Sequence, residues 1–345
     1  MLKDSEAGSV KFYRSGSDMG NRNLEISAIS SPLKTAFTIS RGAKTSAETV
    51  RVTLSENGAT GRGESVPYAR YGETVDSVIA AIDSARSALA SGLSREDLQT
   101  LMPPGAARCA VDCAMWDLEA KLAGKPVWQL AGLPEPKPVE TAVTVSLDTP
   151  DAMAAAARET QGRLLKLKLG GPDDLARIEA VHTARPDARL IVDANEGLNE
   201  GQLPAIASAA AQLGVVLIEQ PFPAGADDAL LRRPGPVAIC ADESAHTRAE
   251  LQDLARRYDA VNVKLDKTGG LTEALAMVRD ARAMGLGIMV GCMVAGSISM
   301  APAVLLASLA DLMDVDGPLW LAQDVAHGLA YSDGMVAPPT PDLWG

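Results

Sequence analysis

Three acidic side chains end three consecutive short apolar segments of the chain. Asp193 ends RLIVD, Glu219 ends VVLIE and Asp242 ends VAICAD. If these segments are adjacent parallel strands, which lie about 4.8 Å apart, the three carboxylates share one coordination sphere. Buried carboxylates repel one another unless a cation neutralises them, and oxygen ligands alone favour a hard ion such as Mg²⁺. The pattern predicts a site for one Mg²⁺, although acids that cap helix N-termini are an alternative explanation.

Three lysines in the same set of apolar segments are predicted to reach this site. Lys166 and Lys168 stand two residues apart in LLKLKL and therefore face one side of a strand, and Lys264 ends AVNVK. A second cation and a metal nearby would lower the pKa of a lysine toward neutrality and make it a usable base. We expect Lys168 and Lys264 to be catalytic. Structural salt bridges to Asp193 or Asp242 are the alternative, and for Lys166 the two interpretations stay equally open.

A pair of acids follows the last apolar segment, DLMDVDG. Asp314 and Asp316 are two residues apart and so project from one face of a strand. Two carboxylates that point into one site attract a cation, such as a substrate ammonium group. A second metal or a helix cap would use the same residues.

Eight short apolar segments after Pro138 must position these residues: VTVSL, LLKLKL, RLIVDAN, VVLIEQP, VAICADES, AVNVKLD, GIMVGCM and DLMDVDG. Each is nearly continuous in apolar residues, as buried parallel strands are, and each is followed by a helical segment. Their polar ends recur about every 25 residues, the length of one βα unit. The pattern predicts a (β/α)8-type barrel with its site at the C-terminal ends of the strands. An open doubly wound sheet is less favoured because no GxGxxG follows the first strand.

The first third of the chain has the pattern of a small α+β unit. Two alternating segments, LEISAIS and ETVRVTL, predict strands on either side of a polar loop over 31–47, and helices are expected over 74–92 and 105–124. The predicted units are a polar N-terminal extension over 1–23, expected to be poorly ordered; an α+β domain over 24–135, completed by about 325–345; and a barrel over 136–324.

Composition narrows the class of protein. The 345 residues include 44 acidic and 32 basic side chains, for a net charge of −12, so neither a nucleic-acid footprint nor a membrane-seeking basic cluster is expected. Four cysteines in a chain of this length make no disulfide framework, and no apolar leader begins the sequence, so the cytoplasm is the expected compartment. The uncharged stretch 283–310 is interrupted by Gly and Pro and predicts a buried strand and helix rather than a membrane span.

Several of these motifs resemble the enolase superfamily, muconate-lactonising subgroup: KLKLG, IVDANEG, LIEQP, CADES, VNVKLDKTGG, GCMVAGSI and AARCAVDCAMWDLEAKLAGKPVWQLAG. The resemblance runs from about Leu24 almost to the C-terminus. It implies a (β/α)7β TIM-like barrel, which lacks the last helix, with an α+β capping domain. It maps Asp193, Glu219 and Asp242 onto the Mg²⁺ ligands, Lys168 and Lys264 onto the acid/base pair, and Lys166 onto the lysine that contacts the substrate carboxylate.

The substrate residues are also given by resemblance. Asp314-x-Asp316 resembles the signature by which dipeptide epimerases of the L-Ala-D/L-Glu type hold an N-terminal ammonium, and the segment around Arg41 resembles the one whose Arg meets the Glu γ-carboxylate. A solvated loop Arg is the alternative for Arg41. Thr144 and Cys292 match pocket positions or are small core residues. Phe37 is expected to pack over the dipeptide, and Tyr68, Arg70 and Tyr71 are expected to help close the site.

The resulting expectation is an isomerase that epimerises L-Ala-L/D-Glu dipeptides at the Glu α-carbon, with Mg²⁺, two bases and a metal-stabilised enolate, in murein peptide metabolism. A cycloisomerase or dehydratase of the muconate-lactonising or o-succinylbenzoate synthase type shares the metal and lysines, but its substrate lacks an ammonium. A non-catalytic scaffold and a Schiff-base aldolase are further alternatives. A homo-oligomer is possible, and no nucleic-acid or membrane partner is expected.

Overall fold

A four-stranded antiparallel sheet opens the computed structural model, which describes residues 8–13, 22–232 and 234–345. Its strands, paired in chain order, are β1 (Ser9–Tyr13), β2 (Asn23–Ile39), β3 (Gly42–Glu56) and β4 (Ala59–Ser65). Alternate residues of β3, Val50, Val52 and Leu54, are fully buried against the helices of this domain, as a half-buried strand requires.

Two sequence expectations for this region are corrected. The loop predicted over 31–47 is instead the outer part of a hairpin, in which β2 and β3 continue past a register shift between Pro32 and Phe37 to a turn at Ser40 and Arg41. Within the extension predicted over 1–23 and expected to be poorly ordered, Ser9–Tyr13 forms a strand that pairs with β2. Residues 1–7 and 14–21 of that extension lie outside the described residues.

Five helices follow this sheet: α1 (Val75–Ser84), α2 (Arg86–Ala90), α3 (Arg95–Leu101), α4 (Ala106–Ala123) and α5 (Val127–Leu130). Of these, α1, α2 and α4 contact its strands. The helix predicted over 74–92 is divided at Ala85 into α1 and α2. The long helix α4 lies directly on β4, because Gly61 and Gly63 have no side chains there. A Cβ on Gly63 would stand 2.1 Å from the Ala110 carbonyl oxygen. The glycines thus let the sheet and helix pack in close contact.

Eight parallel strands form the barrel in strict chain order: β6 (Val143–Val145), β7 (Leu164–Lys168), β8 (Arg189–Asp193), β9 (Val215–Glu219), β10 (Ala238–Ala241), β11 (Ala260–Val263), β12 (Gly287–Gly291) and β13 (Leu312–Asp314). The amide of Ala142 donates to the Met313 carbonyl at 2.8 Å and brings the first and last strands together. Each strand coincides with one of the eight predicted apolar segments. The predicted fold class, a TIM-like barrel with an α+β capping domain, is confirmed.

Helices connect the barrel strands: α6 (Pro150–Glu159), α7 (Asp174–Ala184), α8 (Leu203–Ala210), α9 (Leu251–Leu254), α10 (Leu265–Thr268), α11 (Leu271–Ala283) and α12 (Ser297–Val304). A single helical turn, α13 (Gly317–Trp320), follows the last strand. Short 3-10 turns cover Ala69–Tyr71, Asp228–Leu231, Arg248–Glu250 and Leu305–Leu309. The uncharged stretch 283–310 contains β12 and α12, as predicted. Every helix among the described residues is too short or too polar to cross a membrane.

The C-terminal segment contacts both units of the chain. Strands β14 (Tyr331–Ser332) and β15 (Met335–Val336) form a small sheet with β5 (Val139–Glu140), which precedes the first barrel strand. Beyond them, the indole of Trp344 is fully buried and donates to the carbonyl of Cys113 in α4 at 3.1 Å. On these contacts we propose that about 325–345 completes the capping domain over 24–135, and that the barrel is the separate unit over 136–324.

An apolar layer fills the barrel below the ends of its strands: Ala142, Leu164, Ile191, Leu217, Cys240, Ala260 and Met289. Because successive strand residues alternate between faces, the residues two and four positions after Leu164 also point inward. Those residues are Lys166 and Lys168. The functional groups therefore stand on an apolar floor that excludes water from one side.

Candidate active site

Three carboxylates converge at the C-terminal ends of neighbouring barrel strands. Asp193 and Glu219 are the last residues of β8 and β9 and are paired in register, and Asp242 follows β10 directly. One oxygen from each lies within 4.8 Å of the others, and all three side chains are buried. Helix capping does not explain Asp193, because α8 begins only at Leu203. A buried donor set of three carboxylates, without His or Cys, fits a hard divalent cation.

Two lysines stand at either end of this group of carboxylates. The Lys168 Nζ donates to Asp193 Oδ2 at 2.6 Å, and the Lys264 Nζ donates to Asp242 Oδ2 at 2.7 Å. The salt bridges considered as alternatives are therefore present. They do not exclude catalysis, because both lysines also line the cavity described below.

Lys166 lies deeper and contacts more than one acid. Its Nζ is 2.8 Å from Glu219 Oε2, 3.2 Å from Asp193 Oδ2 and 2.8 Å from Asp314 Oδ2. The side chain is almost completely buried. Lys166 thus joins the three-carboxylate group at β8–β10 to the aspartate pair that follows β13.

The charges of this region set the protonation of its members. Burial alone would raise the pKa of Asp193, but the Lys168 and Lys166 ammonium groups outweigh burial and hold it below its ordinary value. Burial and the neighbouring Asp193 charge raise the pKa of Glu219 to about 7. Burial acts to lower the pKa of Lys264, but the charges of the neighbouring carboxylates, Asp242 foremost, outweigh burial and hold that pKa well above its ordinary value. The predicted lowering of a lysine pKa requires a bound metal beside a second cation, so it stays a prediction for the metal-bound site.

The aspartate pair is buried beside the lysines. Asp316 Oδ2 accepts hydrogen bonds from the Thr144 amide at 2.7 Å and the Trp320 indole at 3.3 Å. Burial and the nearby Asp314 charge raise the pKa of Asp316 to about 6. One oxygen of Asp314, Oδ1, is buried and has no hydrogen-bond partner among the described residues. An unsatisfied buried carboxylate oxygen calls for a donor that binds there.

These residues line one cavity of about 470 Å³ between the barrel and the capping domain. The predicted site residues on its wall are Arg41, Thr144, Lys166, Lys168, Asp242, Lys264, Cys292, Asp314 and Asp316. Phe37, Tyr68, Arg70 and Tyr71 line it from the capping side. The fully buried Asp193 and Glu219 adjoin it through Lys166. The structure thus brings together all the side chains that the sequence singled out.

The hairpin turn between β2 and β3 holds Arg41 at the mouth of the cavity. Its guanidinium donates to Glu243 Oε1 at 2.7 Å, to Glu196 Oε2 at 3.1 Å and to the Asn195 carbonyl at 2.9 Å. It also contacts the Tyr68 hydroxyl at 3.2 Å. Arg41 is therefore a fixed part of the site and not the freely solvated loop residue considered as an alternative.

Sequence reasoning missed four residues that shape the site. Lys267, fully buried in the turn α10, donates to Asp242 Oδ1 at 2.6 Å, and the Asn262 amide donates to Glu219 Oε1 at 2.7 Å. Asn262 carried a signal, because it alternates with Lys264 in AVNVK and so faces inward. Glu243 and Glu196 are the last residues of the motifs ADE and DANE, but nothing in the spacing connects either of them to Arg41.

Comparisons with known proteins agree with this architecture. The model of the mandelate racemase/muconate lactonizing enzyme N-terminal domain matches residues 23–132, and that of the enolase C-terminal domain-like family matches 150–342. The L-Ala-D/L-Glu epimerase of Escherichia coli (strain K12) is 47% identical over 306 residues, which cover 88% of this chain and 95% of the relative. The N-acetyl-D-glutamate racemase of Pseudoalteromonas sp is 44% identical over 85% of this chain and 94% of its own.

A solved structure is similar over nearly the whole chain. It is a crystal structure of an enolase family member from Agrobacterium tumefaciens with homology to dipeptide epimerases, described with bound sodium, L-Ala-L-Glu and an ordered loop. The two chains superpose with a TM-score of 0.92 at 51% sequence identity. The match covers 94% of this chain and 100% of the other.

Proposed function

The chain belongs to the mandelate racemase/muconate lactonizing enzyme family of the enolase superfamily, and from this premise we propose that it is a Mg²⁺-dependent dipeptide epimerase. Its relatives carry the names of epimerases and racemases, which are isomerases. The substrate we propose is L-Ala-L/D-Glu, inverted at the Glu α-carbon. The proposed setting is the metabolism of murein peptides.

The substrate class rests on the aspartate pair at the end of β13. Asp314 and Asp316 line the cavity, and the buried Oδ1 of Asp314 accepts no hydrogen bond from the described residues. A substrate ammonium would satisfy this oxygen with a charge-assisted hydrogen bond. A substrate of the cycloisomerase or dehydratase type, with carboxylates and no ammonium, would instead be repelled by the same two acids.

Asp193, Glu219 and Asp242 are the residues that would hold the metal, as the chemistry of their donor set supports. When bound, Mg²⁺ would supply positive charge beside the substrate carboxylate and so stabilise the second negative charge that develops there on proton loss. The Lys166 Nζ, which is 2.8 Å from Glu219, would donate a hydrogen bond to the substrate carboxylate. Its contact with Asp314 would align the carboxylate and ammonium ends of one substrate.

Lys168 and Lys264 are the proposed acid/base pair. Lys168 forms an ion pair with Asp193 at one end of the three metal-site carboxylates, and Lys264 forms one with Asp242 at the other end. The substrate α-carbon would lie between the two Nζ atoms. One lysine, in its neutral form, takes the α-proton, and the other, as an ammonium, donates a proton to the opposite face. The product is the inverted epimer, and the two lysines have exchanged protonation states.

Arg41 is proposed to bind the Glu side-chain carboxylate. A guanidinium matches a carboxylate in charge and in its two-pronged geometry. Arg41 is 28% exposed at its side chain, on the cavity wall, and is held in place by Glu243. This contact would favour an acidic residue at the position that is epimerised.

The test is a reaction in D₂O with Mg²⁺ and L-Ala-L-Glu, followed by NMR of the Glu α-proton and by chiral analysis. We expect deuterium to enter with inversion in the wild type, and expect neither Lys168→Ala nor Lys264→Ala to invert. N-acetyl-L-glutamate, which has no ammonium, serves as the comparison substrate and should react more slowly. Absence of exchange with the dipeptide would refute this function, and faster reaction of the acetylated substrate would refute the ammonium subsite.

A further inference from the structure

Glu196 has four hydrogen-bond donors around its carboxylate, and they come from three separate parts of the chain. Its Oε1 accepts from Arg70 Nη2 at 2.8 Å and from the Ala224 amide at 2.8 Å. Its Oε2 accepts from Arg70 Nε at 2.9 Å and from Arg41 Nη1 at 3.1 Å. The side chain is only 8% exposed. One carboxylate therefore connects the capping hairpin, the 3-10 turn at Ala69–Tyr71 and the loop after β9.

The backbone around Glu196 is held in an unusual conformation. Asn195 and Glu196 have φ angles of 43° and 67°, so two successive residues other than Gly are left-handed. Such residues persist where the surroundings fix them, and they concentrate at functional sites. Here the Glu196 amide donates to the Gln220 carbonyl at 2.9 Å, which anchors the turn to the neighbouring barrel loop. The strained turn carries the Glu196 side chain to its partners in the capping domain.

Arg41 and Arg70 need an anion between them. The two guanidinium groups are close enough that the charge of Arg41 lowers the pKa of Arg70, whereas the hydrogen bonds and the charge of Glu196 raise it to a larger extent. The bidentate pair with Glu196 accounts for every side-chain hydrogen bond of Arg70 to the described residues. Without the Glu196 charge, the turn that carries Arg70 would lose its ion pair to the loop after β8, and Arg41 would repel Arg70.

The attached turn covers the cavity with two tyrosines. Tyr68 contacts the Arg41 guanidinium, and the Tyr71 ring packs edge-on against His246 with centroids 4.5 Å apart. The cavity wall includes both tyrosines and Lys264. Movement of this turn would open the cavity to water and release Arg41 on one side, while the lysines and carboxylates of the barrel would keep their own contacts.

We propose that Glu196 is a positioning residue that fixes Arg41 and the Ala69–Tyr71 turn over the bound dipeptide. The proposal rests on the proposed function for its substrate. Glu196 touches none of the reacting groups, so its effect is on binding and not on proton transfer. If Glu196 instead competed with the substrate carboxylate for Arg41, the change in KM would have the opposite sign. Removal of the competing charge would then tighten substrate binding and lower KM.

The experiment compares wild type, Glu196→Gln, Arg70→Gln and the double variant, with L-Ala-L-Glu as the substrate. Asp187→Asn, which alters an exposed ion pair with Arg185 far from the cavity, is the matched control. We expect each single variant to raise KM about fivefold or more, with kcat within about twofold of wild type. The KM of the double variant should be no higher than the higher of the two single-variant values, because both substitutions break the same ion pair. An unchanged or lower KM, or additive effects, would overturn the proposal.

Hydrogen–deuterium exchange on the free protein gives a second readout that needs no substrate. We expect faster exchange of amides over 66–73 in Glu196→Gln and Arg70→Gln, and wild-type exchange in Asp187→Asn. Unchanged exchange in the first two variants would overturn the proposed attachment. If the wild type failed to epimerise the dipeptide but exchange still increased, the proposed function would fail while the attachment of the turn stood. Arg70 is 39% exposed, so its substitution tests the attachment without risk to the core.

Discussion

The Lys166 Nζ lies 2.8 Å from Asp314 Oδ2 and links β7 to the last barrel strand, β13, across the first barrel strand, β6. The same ammonium contacts Glu219 at 2.8 Å. One buried cation therefore joins the proposed metal site to the proposed ammonium subsite. The two ends of a bound dipeptide would be positioned by a single rigid contact.

Substitution of Lys166 is expected to affect stability as well as activity. Lys166→Met leaves Asp314 and Glu219 buried without this cation, and loss of one partner from a buried ion pair costs about 3–5 kcal/mol. The midpoint of urea unfolding should fall accordingly. The double variant Lys166→Met/Asp314→Asn should recover part of the stability and none of the activity. Full stability in the single variant would show that the buried charges are compensated in another way.

The two lysines should be separable by isotope exchange. If each serves one face of the α-carbon, Lys168→Ala should still exchange the α-proton of one epimer and Lys264→Ala that of the other. Epimerisation should fall by roughly 10²–10⁴-fold in both. Each pure epimer is incubated in D₂O with each variant, and deuterium entry is measured by NMR. Loss of exchange from both epimers in one variant would assign all proton transfer to that lysine.

Asp316→Asn should weaken binding of substrates that carry an ammonium. The amide oxygen can still accept from the Thr144 amide, so the fold is kept while the charge is lost. A hydrogen bond to a charged group contributes about 1.5–3 kcal/mol, so KM for L-Ala-L-Glu should rise about tenfold or more. N-acetyl-L-glutamate should show no such increase. Equal increases for both substrates would place the ammonium elsewhere.

Bound Mg²⁺ should stabilise the protein through the three carboxylates. A ligand at 100 times its Kd stabilises the folded state by about 2.7 kcal/mol, which a thermal melt detects without any substrate. Glu219→Gln keeps an oxygen for the Asn262 amide but removes the charge, and should abolish most of the Mg²⁺-dependent rise in Tm. Asp187→Asn should retain the whole rise. A normal Mg²⁺ response in Glu219→Gln would exclude this carboxylate as a ligand.

Asp266 should make stability fall as pH rises. Burial raises its pKa from 3.8 to about 7, although the Val66 amide donates to it at 2.7 Å. Between these values the folded protein holds a proton on Asp266 that the unfolded chain has released, so the contribution of Asp266 to stability is largest near pH 4 and declines toward pH 7. At about 1.4 kcal/mol per pKa unit, the decline is on the order of a few kcal/mol. Urea unfolding at several pH values should show a flatter profile for Asp266→Asn, and identical profiles would contradict this account.

The barrel and its reactive groups could be predicted because they follow from local patterns. Lys166 and Lys168 alternate with leucines in one strand, and Asp193, Glu219 and Asp242 end apolar segments at a regular spacing, so topology alone brings them together. The contact of Lys267 with Asp242 could not be predicted in this way, because the Lys267 side chain reaches Asp242 only after the chain turns through α10.

The capping contacts could not be predicted in the same way. Every residue of the hairpin arm over 31–47 except Ala47 is exposed or half-buried, so the arm lacks the alternation of buried and exposed residues that marks a strand. The pairing of Glu196 with Arg41 and Arg70 depends on a left-handed turn and on two loops that meet from separate domains. Neither a backbone conformation of this kind nor an approach between domains is recorded in the spacing of residues.

The lysines and acids of the site lie in the barrel, whereas Arg41, which is proposed to select the substrate side chain, lies in the capping domain. Arg41 stands on a two-residue turn, and nothing lies within 4 Å of the point where a Cβ on the following Gly42 would stand, although the φ of 129° at Gly42 favours glycine there. Substitutions of Arg41 and insertions beside it can accumulate without disturbing the lysines and the metal-site acids of the barrel. The hairpin is thus an evolvable module, and laboratory selection for new dipeptide preferences should concentrate its diversity there.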